Sequence, residues 1–378
     1  MQDVVIAGYV RSPFHPALRG ALARVRPDDL AANTVRGLIE RTGVKPEEIE
    51  DLVMGCAFPE GEQGFNIARL VVLLADLPLS IGGMTVNRFC GSSMSAIHYA
   101  AGQIALGAGE AFICAGVESM SRVPMSGFNP MPNPELAKTT AAYISMGETA
   151  ENVARKYEIS RSAQDAFAHA SQQKAAAAIK QGKLADEIVP ITTKGGQVVD
   201  SDGTPRPDTT LEGLAGLKPA FDASGVVTAG TASPLTDGAA AVLVTSAEYA
   251  RKNGLSVLAK IKSMAISGCA PEIMGIGPVE ATNKALTRAG LTIDDIDIVE
   301  LNEAFSSQSL ACIAELRIPE QRVNLDGGAI AIGHPLGATG ARITGKAASL
   351  LKREGKRYAL ATQCIGGGQG IATILEAA

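Results

Sequence analysis

An internal repeat constrains this chain more than any other feature. Residues 30–57, LAANTVRGLIERTGVKPEEIEDLVMGCA, share their pattern with residues 279–304, VEATNKALTRAGLTIDDIDIVELNEA. Each stretch reads as an amphipathic helix, a glycine turn, an acidic turn and a strand. In the first copy Ala31, Val35, Leu38 and Ile39 fall on one helix face. The segment VNRFCGSS at 86–93 has a looser counterpart in VNLDGGAIAIGHPLG at 323–337. Two such units in one chain predict a duplicated α/β architecture, with both sets of loops at a shared cleft where ligands bind.

The rest of the first half agrees. DVVIAGY, DLVMGCA, MTVNRF and AFICAG read as strands, and 28–42 and Ser92 to Leu106 as helices. This alternation predicts a mostly parallel sheet. After Ser121 the composition turns rich in Pro, Asn and Met, then gives helical patterns at Gly147 to Tyr157 and Ser162 to Lys180, then a polar stretch from Thr192 to Leu217. The expected organisation is an N-terminal domain over 1–120 and 241–260, an insertion over 121–240, and a C-terminal domain over 261–378.

Composition narrows the partners. With 46% hydrophobic and 19% charged residues, a 378-residue chain buries a large core. A net charge of −5 argues against nucleic acid, although a phosphate-bearing small molecule needs only a few local donors. No segment approaches the ~20 apolar residues of a membrane span, and LVVLLADLPL is broken by Asp76 and Pro78. The start, MQDVVIAGYVRSP, lacks the basic and long apolar regions of a secretory signal. Six cysteines, at 56, 90, 114, 269, 312 and 364, form no CxxC pair and no zinc spacing with histidine. A reducing, cytoplasmic setting without a metal site is the expectation.

Cys114 and Cys312 sit in apolar runs and read as packed core. Cys90 lies between a strand and the helix starting near Ser92, where a helix N-terminus and free N–H groups help a thiol ionise; a packed structural cysteine is the plainer reading. Cys364 precedes Gly366, Gly367 and Gly368, which admit backbone or ligand at close range but also suit a tight turn. His98 reads as a core or boundary residue. His334 stands in the glycine-rich run GGAIAIGHPLGATGAR, where an imidazole could stabilise an anion or activate a thiol, or be a plain loop residue. Asn302 and Glu303 end a strand, and Asn302 alone could be a helix cap.

Taken together and in order, NRFCGSSM (87–94), LNEAFS (301–306), GGAIAIGHPLGATGAR (327–342) and QCIGGGQG (363–370) resemble the thiolases, and the likeness runs from RSPF at 11–14 to GQGIAT at 368–373. CGSSM and GQGIAT look closest to degradative 3-ketoacyl-CoA thiolases, including thiolase subunits of bacterial fatty-acid oxidation complexes. The resemblance implies two similar mixed-sheet α/β domains in a layered α-β-α-β-α core, with an inserted loop domain. It implies that Cys90 is the nucleophile that takes the acyl group, and that Cys364 exchanges a proton with the α-carbon of acetyl-CoA. His334 would line an oxyanion hole and help ionise the nucleophile. Asn302 would hold the water completing that hole. The N–H of Gly366, with that of Cys90, would form a second hole. Ser233 and Arg206 match positions that touch CoA. Met146, Met274 and Phe305 match the acyl pocket and its surroundings. CoA enters as substrate, with no cofactor; a homodimer or homotetramer is implied, with a hydratase/dehydrogenase subunit as a possible partner.

Three positions depart from part of the family. Ser145 stands where short-chain biosynthetic members carry histidine, Phe89 precedes the nucleophile, and Gly213 replaces a serine near CoA. Ser145 opens the way to longer acyl chains and argues against a purely acetoacetyl-CoA role. The alternatives are an acetoacetyl-CoA thiolase in the synthetic direction, a non-catalytic acyl-CoA-binding protein on the same scaffold, and a cysteine hydrolase. The second would have no need to keep Cys90, Asn302, His334 and Cys364 together, and the third lacks a Cys/His/Asn set outside these segments.

Overall fold

The computed structural model describes residues 2–378. The repeat is visible in its local chemistry. Helix Pro27–Thr42 ends on Gly43 at φ 68°, and helix Gly277–Ala289 ends on Gly290 at the same φ. Left-handed backbone of this kind favours glycine. A short 3₁₀ turn follows each, Pro46–Glu48 and Ile293–Asp295, and then a strand, Asp51–Gly55 and Ile298–Leu301.

The strands repeat the same order in both halves. In the first half the sequence across the sheet is Gly82–Val86, Asp51–Gly55, Ala111–Ser119, Thr236–Ser246 and Val4–Arg11. The first three are parallel and the last two are added antiparallel. In the second half it is Ile298–Leu301, Tyr358–Ile365, Gln369–Glu376 and Ala259–Gly268, parallel once and then antiparallel twice. The counterpart of the outermost strand shrinks to one parallel bridge, Val299 to Val323. A two-residue antiparallel pairing, Val5 with Lys260 and Ile6 with Ala259, joins the halves edge to edge. Strands Thr236–Ser246 and Ala259–Gly268 each run across one of the expected domain boundaries, at 240/241 and 260/261.

Three apolar clusters define the layers. One packs helices Pro27–Thr42 and Ile67–Leu74 on the outer face of the first sheet. Another packs Gly277–Ala289 and Ser306–Leu316 on the outer face of the second. The third lies between the sheets around helices Ser92–Ala105 and Leu336–Glu354. The result is the expected α-β-α-β-α layering. The insertion carries helices Met146–Lys156 and Arg161–Lys180, which pack on Ser306–Leu316. Its polar stretch is not a plain loop: it holds the two-strand pairing of Ile191–Thr192 with Val198–Val199 and helix Leu211–Ala215. No helix among the described residues is long and apolar enough to cross a membrane.

The two central helices approach at backbone distance. A methyl group on Gly340 would lie 2.3 Å from the Met94 nitrogen, inside van der Waals contact. Gly340→Ala should therefore lower stability by about 1–3 kcal/mol, as overpacking does. Urea unfolding of the purified variant checks this, and an unchanged midpoint would contradict the contact.

Candidate active site

Strand Gly82–Val86 is shorter than the sequence pattern predicts, because the chain turns before Phe89. Phe89 takes φ 43°, the Gly91 N–H bonds the Arg88 carbonyl at 2.9 Å, and the Ser92 N–H bonds the Phe89 carbonyl at 3.1 Å. This tight turn sets Cys90 immediately ahead of helix Ser92–Ala105. A methyl on Gly91 would lie 2.5 Å from Ile365 Cδ1, so the turn presses directly on a side chain of the second half. The Gln363 side-chain amide donates to the Cys90 carbonyl and ties the two cysteine-bearing segments.

Cys364 is buried on strand Tyr358–Ile365, opposite Gly370 of the next strand. The hairpin between them is Gly366, Gly367 and Gly368, the last two at φ 80° and 83°. Burial pushes the Cys90 thiol up to about 12, against the backbone N–H groups of Gly366 and of Cys90 itself, which point at the sulfur. The donors at the sulfur are thus the hairpin N–H of Gly366 and the cysteine's own, not the first N–H groups of helix Ser92–Ala105 as expected, and desolvation outweighs them. Burial, and then the neighbouring Cys90 sulfur, raise the Cys364 thiol well above its ordinary value.

His334 is 4% exposed and held on three sides. Its N–H bonds Thr236 Oγ1 at 3.1 Å, Nδ1 meets Thr339 Oγ1 at 2.6 Å, and Nε2 lies 3.4 Å from Asn302 Nδ2. Burial lowers the imidazole to about 3, and the Arg342 cation adds to this, so the ring is neutral near pH 7. Asn302 is not a helix cap, since the N-cap position of helix Ser306–Leu316 falls at Phe305. Its Oδ1 is buried with no partner, an acceptor beside the imidazole. Glu303 accepts from Ser171 Oγ at 2.6 Å, Asn324 Nδ2 at 2.7 Å and the Ile330 N–H at 3.2 Å, and so fastens the loop leading to His334.

The apolar residues expected at the acyl pocket gather here. Met274, Phe305, Ala304 and Cys364 form one buried cluster, with Met146 packed on it. A methyl on Gly366 would touch Met146 Sδ at 3.6 Å and Phe89 Cδ2 at 3.7 Å. The Ser233 N–H bonds the Ala304 carbonyl at 3.0 Å, which brings Ser233 beside this cluster. Arg206 lies on an exposed loop, fixed through its N–H to Gln172 Oε1 at 2.8 Å; no hydrogen bond among the described residues joins it to the cysteine–histidine group. Ser145 caps helix Met146–Lys156 in a capping box with Glu148. His98 is a boundary residue as expected, with Nε2 2.8 Å from Thr373 Oγ1.

Three supporting residues went unnoticed in the sequence. Thr339 anchors the imidazole, and its place five residues after His334 in GHPLGATGAR was the available signal. Gln363 adjoins Cys364. Glu118, which accepts from the Ala57, Gly337 and Gln63 donors at 2.8, 2.9 and 2.8 Å, carries no signal, because VES looks like any strand end.

A half-buried cysteine at a strand-to-helix turn, a buried one beside a glycine hairpin and a neutral histidine–asparagine pair, all within a duplicated α/β core, define the thiolase class of fold. The model of the thiolase N-terminal domain matches residues 4–248 and that of the C-terminal domain matches 255–377; the chain belongs to the thiolase family. It is 48% identical over 389 residues to a 3-ketoacyl-CoA thiolase of Bacillus subtilis (strain 168) and 49% identical over 388 residues to one of Idiomarina loihiensis, with all of each chain covered. It is also similar to the crystal structure of the Bacillus anthracis acetyl-CoA acetyltransferase, at TM-score 0.93 and 40% identity, over 100% of this chain and 99% of the other.

Two outcomes follow from the geometry. Thr339→Val keeps the volume and removes the imidazole's anchor; acylation of Cys90 should slow by about tenfold or more, as when an orienting partner is lost. Stopped-flow acylation measures it, and a parent rate would rule the anchor out. Iodoacetamide modification of Cys90 in the free protein should keep rising through pH 9, because a thiol at about 12 has far to go before it is fully ionised. A plateau near pH 8.5 would contradict the raised value.

Proposed function

We propose that this chain cleaves 3-ketoacyl-CoA with CoA, giving acetyl-CoA and a shortened acyl-CoA, in fatty-acid β-oxidation. The observation that carries this reading is the pairing of Cys90 and Cys364 across the Gly366 turn, beside His334 and Asn302. Two thiols suit two separate tasks. Cys90 attacks the 3-keto carbon as its proton moves to the neutral imidazole, in one step, because burial holds the resting thiol and imidazole in their neutral forms. The tetrahedral oxygen, one bond from the attacked carbon, falls to the N–H groups of Cys90 and Gly366 that already point at the sulfur. The bond between C2 and C3 breaks, its electron pair goes to C2, and the enolate oxygen is held at the His334–Asn302 pair. Cys364 then gives its proton to C2, and acetyl-CoA leaves. CoA gives its thiol proton to the Cys364 thiolate and attacks the Cys90 thioester; the released Cys90 sulfur takes back the proton held by His334, and the shortened acyl-CoA departs.

Arg206 and Ser233 hold CoA in this reading, Arg206 at a phosphate or the adenine. The protein works without a resident cofactor, in the cytoplasm, as a homodimer or homotetramer that can join a hydratase/dehydrogenase subunit. Synthesis of acetoacetyl-CoA is the second reading, supported by the name of the Bacillus anthracis relative. Ser145 in place of a histidine, and the names of the relatives at 48% and 49% identity, favour cleavage.

Incubation with 3-ketoacyl-CoA in the absence of free CoA should leave an acyl group on the Cys90 peptide. Label on Cys364 with Cys90 unmodified would sink the assignment. Cys364→Ala should still accept an acyl group from a simple acyl-CoA, while deuterium exchange at the acetyl-CoA methyl falls by the ~10²–10⁴-fold typical of a lost acid or base.

A further inference from the structure

Phe89 has a backbone and an exposure that the chemistry above does not use. At φ 43° it holds the left-handed region, where a bulky non-glycine residue is strained. The residue is 38% exposed although it adjoins the nucleophile. It packs on half-buried Phe58, with ring centroids 5.9 Å apart at 45°. It faces the Gly366 turn on which Met146 also sits, at 3.7 and 3.6 Å from the point where a methyl of that glycine would be. On the other side Met274, Phe305 and Cys364 form a closed cluster, 3%, 8% and 1% exposed, with Phe221 edge-on to Phe305 at its outer rim. That closed cluster suits a two-carbon fragment. A long chain bonded to the Cys90 sulfur has to leave toward solvent, and Phe89 backed by Phe58 is the apolar surface that reaches solvent beside it.

We infer that Phe89, supported by Phe58, is the wall on which the fatty tail of the substrate lies, and that it sets the preference for long over short chains. This rests on Cys90 being the acylated residue. Each methylene that the ring shields from water is worth a factor of about four, so two or more give about tenfold. The strained backbone is then the cost of aiming an aromatic ring at the mouth of the site.

The test is the ratio of kcat/KM for a sixteen-carbon to a four-carbon 3-ketoacyl-CoA in the parent, Phe89→Leu and Phe89→Asn, with acylation of Cys90 followed by mass spectrometry in each. Asparagine accepts left-handed backbone readily, so it keeps the turn and removes the apolar surface. Phe89→Asn should lower the ratio by about tenfold or more, and Phe89→Leu should stay within about threefold of the parent. A parent-like ratio in Phe89→Asn, with Cys90 acylated, would overturn the inference. An equal loss at both lengths would overturn it too, since the ring would then serve the nucleophile's turn and not the tail. A parent enzyme that never acylates Cys90 would overturn the nucleophile assignment itself.

Discussion

Both sheets and the other central helix are docked on one buried helix, Leu336–Glu354, and its contact with the core is made of missing side chains and paired charges. Gly337 faces Cys56, Gly340 faces Met94 and Gly345 faces Tyr9, in each case closer than a methyl group would allow. Its polar residues are buried too. Arg342 pairs with Glu300 at 3.0 Å, and Lys346 pairs with Glu187 at 2.9 Å and Asp326 at 2.7 Å. Glu187 in turn holds Arg11, which also binds Asp202. Against the upward push of burial, Lys346 and Arg11 keep Glu187 below its ordinary value. Removing one partner of such a cluster leaves an uncompensated buried charge, so the first strand, the insertion and the helix are committed to one arrangement.

That arrangement turns a repeat into a site. Gly55 pairs with Gly116 and Leu301 with Thr362, so the two halves align residue by residue at the strand ends. Cys90 precedes the first central helix, and His334 precedes the second. Packing the helices on each other therefore brings both loops to one place. The halves have diverged in what the strand ends offer. Asn302 and Cys364 end strands in the second half and face the site, whereas the matching end in the first half carries Glu118, spent on holding backbone N–H groups. Scaffold and chemistry are divided between copies of one unit.

The electrostatics of the site follow from the same burial. Desolvation favours neutral forms, and here it raises both thiols and lowers the imidazole. The resting site is an uncharged set of donors and acceptors, with N–H groups already aimed at the Cys90 sulfur. Such a site gains most when a substrate brings an oxygen whose charge develops at those donors. A neutral site whose Cys364, His334 and Asn302 are buried also limits proton exchange with water, which suits chemistry at carbon.

Much of the scaffold was legible because it is local. Glycine after each repeat helix, acidic turns and apolar periods report conformations that depend on a few neighbouring residues, and the helices at 27–42, 92–105, 146–156 and 161–180 fall within a residue or two of their expected bounds. The turn at Phe89 was missed because a left-handed phenylalanine breaks the local rule; Asn87, Ser92 and the packing of Phe58 hold it there. The chemical identity of the site was legible in four short segments, through their resemblance to a family. Their convergence, the acceptor at Asn302 Oδ1, the anchoring by Thr339 and the clamp at Glu118 were not, because each is a contact between residues far apart in the chain. Sequence by itself determined the repeating unit, its turns and the reactive side chains. Tertiary structure decided which of those side chains meet and how they are charged, since burial and long-range packing belong to the folded assembly of both halves and to neither alone.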